Sequence, residues 1–308
     1  MTTPEFCIIF NPASGRGRSS RRLEGLRRAL DGRAVFRATD APGHAEELAC
    51  IAALEGFPVV GAAGGDGTVH EVANGLLRSR SPGVTLAVFP VGSANDYAHS
   101  LGLGADWWRR PDPSIGVLHA DVGVVRAPTG RERSFVNGLG LGFNGSVTLE
   151  SRRIKNLQGI PLYALAALRA MWFHYAHPPM DIRLDDGVLQ NVPTLLLTLA
   201  IGRREGNFIL APDAKIDDGL FDYLHVGVLS RLALLRYMPG LLVGRLPTGH
   251  PALRMGRCSR ARVESKEPLT VHIDGEFFCL PEDGVCGLEV EIIRGGLRVL
   301  GRVTPGRS

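Results

Sequence analysis

Apolar and polar positions divide the chain into two stretches of different rhythm. In the first, short unbroken apolar runs alternate with segments of helical spacing. Residues 6–10 form a continuous apolar run, Leu23, Leu26 and Leu30 recur on one helical face, and 34–38 reads as a second strand. Ala45, Leu48, Ala49 and Ala52 mark a second helix, 58–63 a third strand, 69–77 a third helix, 84–89 a fourth strand and 95–100 a helical turn. Unbroken apolar strands alternating with helices predict an α/β domain over residues 1–125, a doubly wound parallel sheet covered on both faces. Ligands of such sheets sit at the carboxyl ends of the strands.

The second stretch is rich in strands. Candidates are 117–125, 134–141, 180–184, 194–201, 220–228, 269–273 and 288–293, interrupted by helical stretches at 162–174 and 230–243. The pattern predicts an antiparallel β-sandwich over residues 126–295, with 126–133 as a hairpin loop or a crossing between domains. The apolar tail at 297–303 lies beyond the last of these strands, and residues 296–308 are expected to return to the first domain.

The chemistry gathers in the loops that follow the strands. Strand one runs into Asn11-Pro12-Ala13-Ser14-Gly15, strand three into Gly64-Gly65-Asp66-Gly67-Thr68, and strand four into Pro90-Val91-Gly92-Ser93-Ala94-Asn95-Asp96. Glycines let backbone N–H groups converge on an anion without a side-chain clash. Thr68 and Glu71 have capping-box spacing, which starts the third helix at Thr68, and Ser93 to Asp96 repeats the logic at the next one. A helix N-terminus behind a glycine loop favours phosphate. Asp66 beside a phosphate requires a metal ion or a bound water between the two. One glycine-rich turn is usually just a turn; three in register point to a single site. The first strand is followed by neither the Walker nor the dinucleotide-binding glycine pattern.

Composition adds limits. Glycine, 39 of 308 residues, is high without a collagen period. A net charge of +4 with a pI near 8.9 is too mild for a nucleic-acid binder, but suits an anionic substrate or membrane surface. Cys7, Cys50, Cys258, Cys279 and Cys286 are odd in number and lack zinc spacing, the pattern of a reducing compartment. The first ten residues lack the features of a signal peptide, and no apolar stretch is long enough to span a bilayer, so a cytoplasmic protein is expected.

The segments NPASG, GGDGTVHEVANGL and PVGSANDYA resemble the diacylglycerol kinase catalytic domain, shared by soluble bacterial lipid kinases of the YegS type and by sphingosine kinases. Asp121-Val122-Gly123, the run from Ala211 to Gly219 and Ile273-Asp274-Gly275-Glu276 continue the resemblance in the expected order along almost the whole chain. The resemblance implies an ATP-dependent lipid kinase of two domains that phosphorylates a lipid with a free hydroxyl, with a place in phospholipid biosynthesis. It implies ATP contacts at Asn11, Pro12, Ala13, Ser14, Gly15, Thr39, Gly64, Gly65, Asp66, Gly67, Thr68 and Ser93, and the same loops add Glu71, Asn95 and Asp96. Ser93 stands where threonine is more common. The resemblance makes Glu276 the catalytic base. It puts a structural Mg2+ at the Lys215 carbonyl, Asp218 and the Leu220 carbonyl, and assigns Asp66, Asp96 and Asp121 to a metal and water network near the phosphates. Gly202 to Asn207 is more charged than the glycine-rich stretch usual there, which leaves the lipid undetermined.

Apart from that resemblance, Glu276 is a turn carboxylate and Asp217-Asp218-Gly219 an ordinary turn. Trp107 and Trp108 beside Arg109 and Arg110 are candidates for peripheral contact with the inner face of the membrane. Leu162, Leu165, Leu168, Trp172 and Phe173 have helical spacing, which favours a core face over an acyl groove. His70, His99 and His119 receive no role. A homodimer stays open. Two other readings remain: a catalytically silent nucleotide- or lipid-binding protein on the same fold, and an enzyme resembling an NAD kinase.

Overall fold

The computed structural model describes residues 4–12, 18–110, 112–157 and 159–303. The chain forms two compact units, Met1–Asp121 with Gly295–Ser308, and Val122–Arg294.

The first unit holds β1 (Phe6–Phe10), α1 (Arg18–Ala29), β2 (Ala34–Ala38), α2 (His44–Leu54), β3 (Val59–Gly64), α3 (Asp66–Ser79), β4 (Thr85–Pro90), α4 (Asp96–Ser100) and most of β5 (Ile115–Arg126). Four strands run parallel in the order β2-β1-β3-β4, as the unbroken apolar runs predict. Ile8, Phe10, Leu26, Ala63, Ala87 and Phe89 form one core cluster between sheet and helices.

Trp107 and Trp108 are partly buried and pack against that cluster. The Trp107 ring stacks on Phe89 at 5.3 Å, and its Nε1–H donates to the Val88 carbonyl at 2.8 Å.

The second unit continues with β6 (Glu132–Phe135), β7 (Gly138–Gly142), α5 (Phe143–Arg153), α6 (Ile160–Phe173), β8 (Pro179–Leu184), β9 (Gly187–Pro193) and β10 (Leu196–Ala200). A short hairpin follows, β11 (Arg204–Glu205) and β12 (Phe208–Ile209), then β13 (Phe221–Val226), α7 (Arg231–Leu241), β14 (Leu253–Cys258) and β15 (Arg260–Ser265). The last elements are β16 (Val271–Ile273), β17 (Glu276–Cys279) and β18 (Gly287–Arg302). One antiparallel sheet has the order β14-β13-β10-β7-β16-β17. The other runs β18-β15-β8-β9, with the β5–β6 hairpin also paired to β18. Phe135 of β6 stacks on Phe221 of β13 at 5.8 Å, joining the two sheets.

Several boundaries depart from the periodicity. The single strand expected at 134–141 is two, because the N–H groups of Val136, Asn137 and Gly138 are taken by a side chain instead of a neighbouring strand. The strand at 288–293 and the tail beyond it are one continuous strand, whose far end lies parallel to β4 with Val299 opposite Leu86. Helix α5 carries Gly145, Ser146 and Thr148 and gives almost no apolar stripe to read.

The largest departure is α6. Its buried face is Ala166, Ala167, Ala170 and Met171, while Leu165, Leu168, Trp172 and Phe173 are exposed, Trp172 at 78%. The core expectation for these four is overturned. Small residues let α6 lie close against its neighbours, and the large apolar ones are left outward.

Candidate active site

In the first unit the strand register aligns the loops. Phe10 lies opposite Ala38 and Ala63, and Gly64 opposite Pro90, so Asn11, Thr39, Gly64 and Val91 stand in a row at the carboxyl edge of the sheet. The Thr39 N–H donates to the Phe10 carbonyl at 2.9 Å. The Gly64 carbonyl accepts from both Val91 and Gly92, at 3.2 and 3.1 Å, and ties the second loop to the third. Ala13, Ser14 and Gly15 lie outside the described residues.

Helix α3 begins at Asp66, two residues before the expected start, with Gly65 as a cap that has no side chain. The capping box does not form. Both Glu71 oxygens instead accept from the N–H groups of Gly43 and Ala45, at 2.9 and 3.0 Å, and cap α2. An end without a side-chain cap keeps its first-turn N–H groups and the positive end of the helix dipole available to an anion. Thr68 packs so closely on Gly64 that a Cβ there would overlap it.

Gly92 belongs to the same cradle. A Cβ at Gly92 would run into the Cα of Gly65, so the two loops meet glycine against glycine. Asn95, with φ of 54°, folds back on Gly92, accepting from its N–H at 3.0 Å and donating to its carbonyl at 2.9 Å. The cap of α4 is thus Asn95, and Ser93 is left exposed. Asp66 Oδ1 accepts from the Tyr97 N–H at 3.2 Å, which places Asp66 at the N-terminus of α4 beside the buried Asp96. Asp121 is wholly buried in β5, with Oδ1 accepting from the Gly295 N–H at 2.8 Å.

In the second unit Glu276 opens β17, directly after a two-residue turn. Asp274 and Gly275 have φ of 51° and 84°, the pair of left-handed residues that a tight hairpin needs. The Asp274 carboxylate accepts the N–H groups of Val136, Asn137 and Gly138 at 2.9, 2.8 and 3.0 Å. This clamp fixes the turn against the β6–β7 connection. Arg152 Nη2 lies 2.6 Å from Glu276 Oε2. Neither Asp274 nor Arg152 is marked by local sequence: the first reads as half of a turn, and the second is 124 positions from its partner.

Glu205, in the unusually charged stretch, reaches the buried His272, with Oε1 3.0 Å from Nε2.

Asp218 Oδ1 accepts from the Leu220 N–H at 3.2 Å, and Oδ2 is 3.8 Å from Arg257 Nη1. Asp222, across the strand pair, has Oδ1 3.4 Å from Arg257 Nε, while Oδ2 is buried with no hydrogen-bond partner among the described residues. Burial pushes the Asp222 carboxyl upward, Arg257 opposes the shift, and Asp218 and Asp213 add to it. Asp218 is the one carboxylate among the three positions the resemblance implies for Mg2+, a donor type that suits a hard cation. Among the described residues no three Asp, Glu, His or Cys side chains converge as a metal cluster.

Residues 5–124 match the diacylglycerol kinase catalytic domain, and residues 138–301 the YegS C-terminal NAD kinase beta sandwich-like domain. A diacylglycerol kinase of Bacillus subtilis strain 168 is 30% identical, over 88% of this chain and 89% of its own. One from Staphylococcus saprophyticus is 29% identical, over 88% of each chain. The fold is similar to that of a diacylglycerol kinase from Bacillus anthracis, with a TM-score of 0.68 at 20% identity and 99% of each chain covered.

Proposed function

The chain belongs to the lipid kinase family of the diacylglycerol kinase catalytic domain, and from that premise we propose that it transfers the γ-phosphate of ATP to a hydroxyl of diacylglycerol or a similar lipid. It is a phosphotransferase with an alcohol acceptor. The observation that carries the reading is the row of loops at the sheet edge, where Gly65 and Gly92 pack together in front of the uncapped start of α3.

In this reading the loops after β1, β3 and β4 bind the phosphates through backbone N–H groups. Asp66, Asp96 and Asp121 organise the metal and water around them, and Glu276 accepts the proton of the lipid hydroxyl. Phosphoryl transfer asks mainly for positioning and charge neutralisation. Bound Mg2+ would supply charge neutralisation at the phosphates and, at Lys215, Asp218 and Leu220, would hold a turn of the second unit. Labelled γ-phosphate transfer to a lipid panel in mixed micelles, with NAD as a control, tests the reading. Label in diacylglycerol or a related lipid is expected. Label in NAD, or in no lipid, would sink it.

We further place the protein at the inner face of the membrane as a peripheral enzyme, with α6 and α7 as the contact surface in place of Trp107 and Trp108. No helix among the described residues is long and apolar enough to cross a bilayer. Leu165, Leu168, Trp172 and Phe173 of α6, and Leu232 and Leu235 of α7, are exposed. No acidic residue occurs in 151–180 or in 223–263, although these segments carry four and seven basic ones. Large apolar side chains beside Arg231, Arg236 and Arg245 complement an anionic bilayer, with rings entering the acyl boundary and cations staying at the headgroups. Replacing Trp172 and Phe173 together by serine should weaken binding to phosphatidylglycerol-containing vesicles by about tenfold or more with Tm nearly unchanged. Vesicle sedimentation measures this. Unaltered binding would move the contact elsewhere.

A further inference from the structure

We propose that Arg152 of α5 is the positioning residue for Glu276, a role that rests on the reading of Glu276 as the base. The guanidinium grips three consecutive residues of the β16–β17 hairpin. Arg152 Nη2 donates to Glu276 Oε2 at 2.6 Å and to the Gly275 carbonyl at 3.2 Å, and the guanidinium carbon lies 4.6 Å from the centre of the Phe277 ring. Both charged side chains are about half exposed, and a surface ion pair of that kind contributes little to stability. Its geometry is nevertheless more specific than an incidental pair needs. A planar guanidinium can serve a carbonyl and a carboxylate while lying on an aromatic face; an ammonium cannot do all three.

The anchor behind Arg152 is stiff. Two positions earlier, on the other side of α5, the fully buried Glu150 accepts from Arg169 and Arg153 at 2.6 and 2.7 Å, and His174 Nε2 lies 3.2 Å away. Burial works to raise the Glu150 carboxyl, but the bonds from Arg169 and His174 and the charges of Arg169 and Arg153 hold it below its usual range. Asn144, at the first turn of α5, donates to Thr198 of β10 at 2.6 Å. The helix is therefore held at both ends and presents Arg152 to the hairpin from a fixed backbone.

A glutamate has three rotatable bonds, and a base is effective only where its oxygen meets the proton. Arg152 holds Oε2, which leaves Oε1 as the acceptor. As the lipid oxygen forms its bond to the γ-phosphorus, the hydroxyl proton passes to Oε1. The bond from that phosphorus to the β,γ-bridging oxygen breaks, and ADP leaves with the electron pair. Arg152 touches no reacting atom in this scheme and acts only through Glu276.

The test is a double-mutant cycle on a short-chain, water-soluble diacylglycerol, which removes any contribution from vesicle binding. Arg152→Met should lower kcat by about tenfold to a hundredfold, with the KM for ATP and the Tm nearly unchanged. Arg152→Lys should recover part of the loss. In a Glu276→Gln background Arg152→Met should cost nothing further, because its effect has no other route. An Arg152→Met enzyme within twofold of the original kcat overturns the proposal, as does the same loss in both backgrounds. If the methionine variant is unstable, the lysine variant compared in the two backgrounds replaces it, and equal losses there overturn the proposal in the same way. A fully active Glu276→Gln enzyme would instead remove the base assignment, and the role of Arg152 with it.

Discussion

Glu276→Gln should lower kcat by about 10² to 10⁴ while ATP binding and Tm stay close to their original values. A primary alcohol is barely ionised at neutral pH, so attack on phosphorus gains from proton removal as the bond forms. The glutamine keeps the length and shape of the side chain and can still accept from Arg152 through its amide oxygen, but it takes up no proton. Glu276 is half exposed at the start of a short edge strand, so little of the fold depends on its charge. The KM for lipid should move less than kcat, since the loss falls on the transition state. Steady-state kinetics on a soluble lipid decide the matter. More than about half of the original kcat would transfer the search for a base to Asp66.

Asp274→Ala should give the largest loss of stability. The carboxylate is buried and accepts three backbone N–H groups, with Oδ1 serving Asn137 and Gly138 and Oδ2 serving Val136. Alanine leaves those donors without an acceptor, and hydrogen bonds to a charged group contribute about 1.5–3 kcal/mol each. A loss of about 3 kcal/mol or more in the second unit is expected, which corresponds to a fall in Tm of roughly 6–12 °C. Alanine also suits the left-handed turn less well than aspartate does. Asp274→Asn should lie between the two, because the amide oxygen can still serve Asn137 and Gly138 while its NH2 faces the Val136 N–H. Calorimetry checks the series. An alanine variant that melts with the original protein would show that the clamp contributes nothing.

Much of the first unit is legible in the chain. The apolar runs at 6–10, 58–63 and 84–89 are strands within a residue or two, because a parallel strand buried on both faces has to be apolar throughout, and 34–38 is the half-buried edge strand, which tolerates Arg37. The glycine loops are equally readable, since close backbone approach excludes side chains whatever the surroundings. The helix starts are less so. Thr68 and Glu71 have the spacing of a capping box, but Glu71 finds two better donors at the start of α2, so the helix extends back to Asp66. Spacing along one chain cannot register a competitor 26 to 28 residues away.

The second unit hides more. Strand β14 carries Arg254 and Arg257, β15 carries Arg260 and Arg262 at alternate positions, and β18 runs through Arg294 and two glycines, so none of these patterns announces a long sheet. Local sequence determined the parallel sheet, the glycine cradle and the hairpin turn that presents Glu276, because each is a backbone requirement met by neighbouring residues. Tertiary structure alone decided that Trp107 and Trp108 pack against the core of the first unit, that Trp172 and Phe173 are surface, and that Arg152 and Asp274 hold the candidate base. Those outcomes depend on which distant donor, acceptor or ring arrives at the same place, and a periodicity read along the chain carries no information about arrivals from elsewhere.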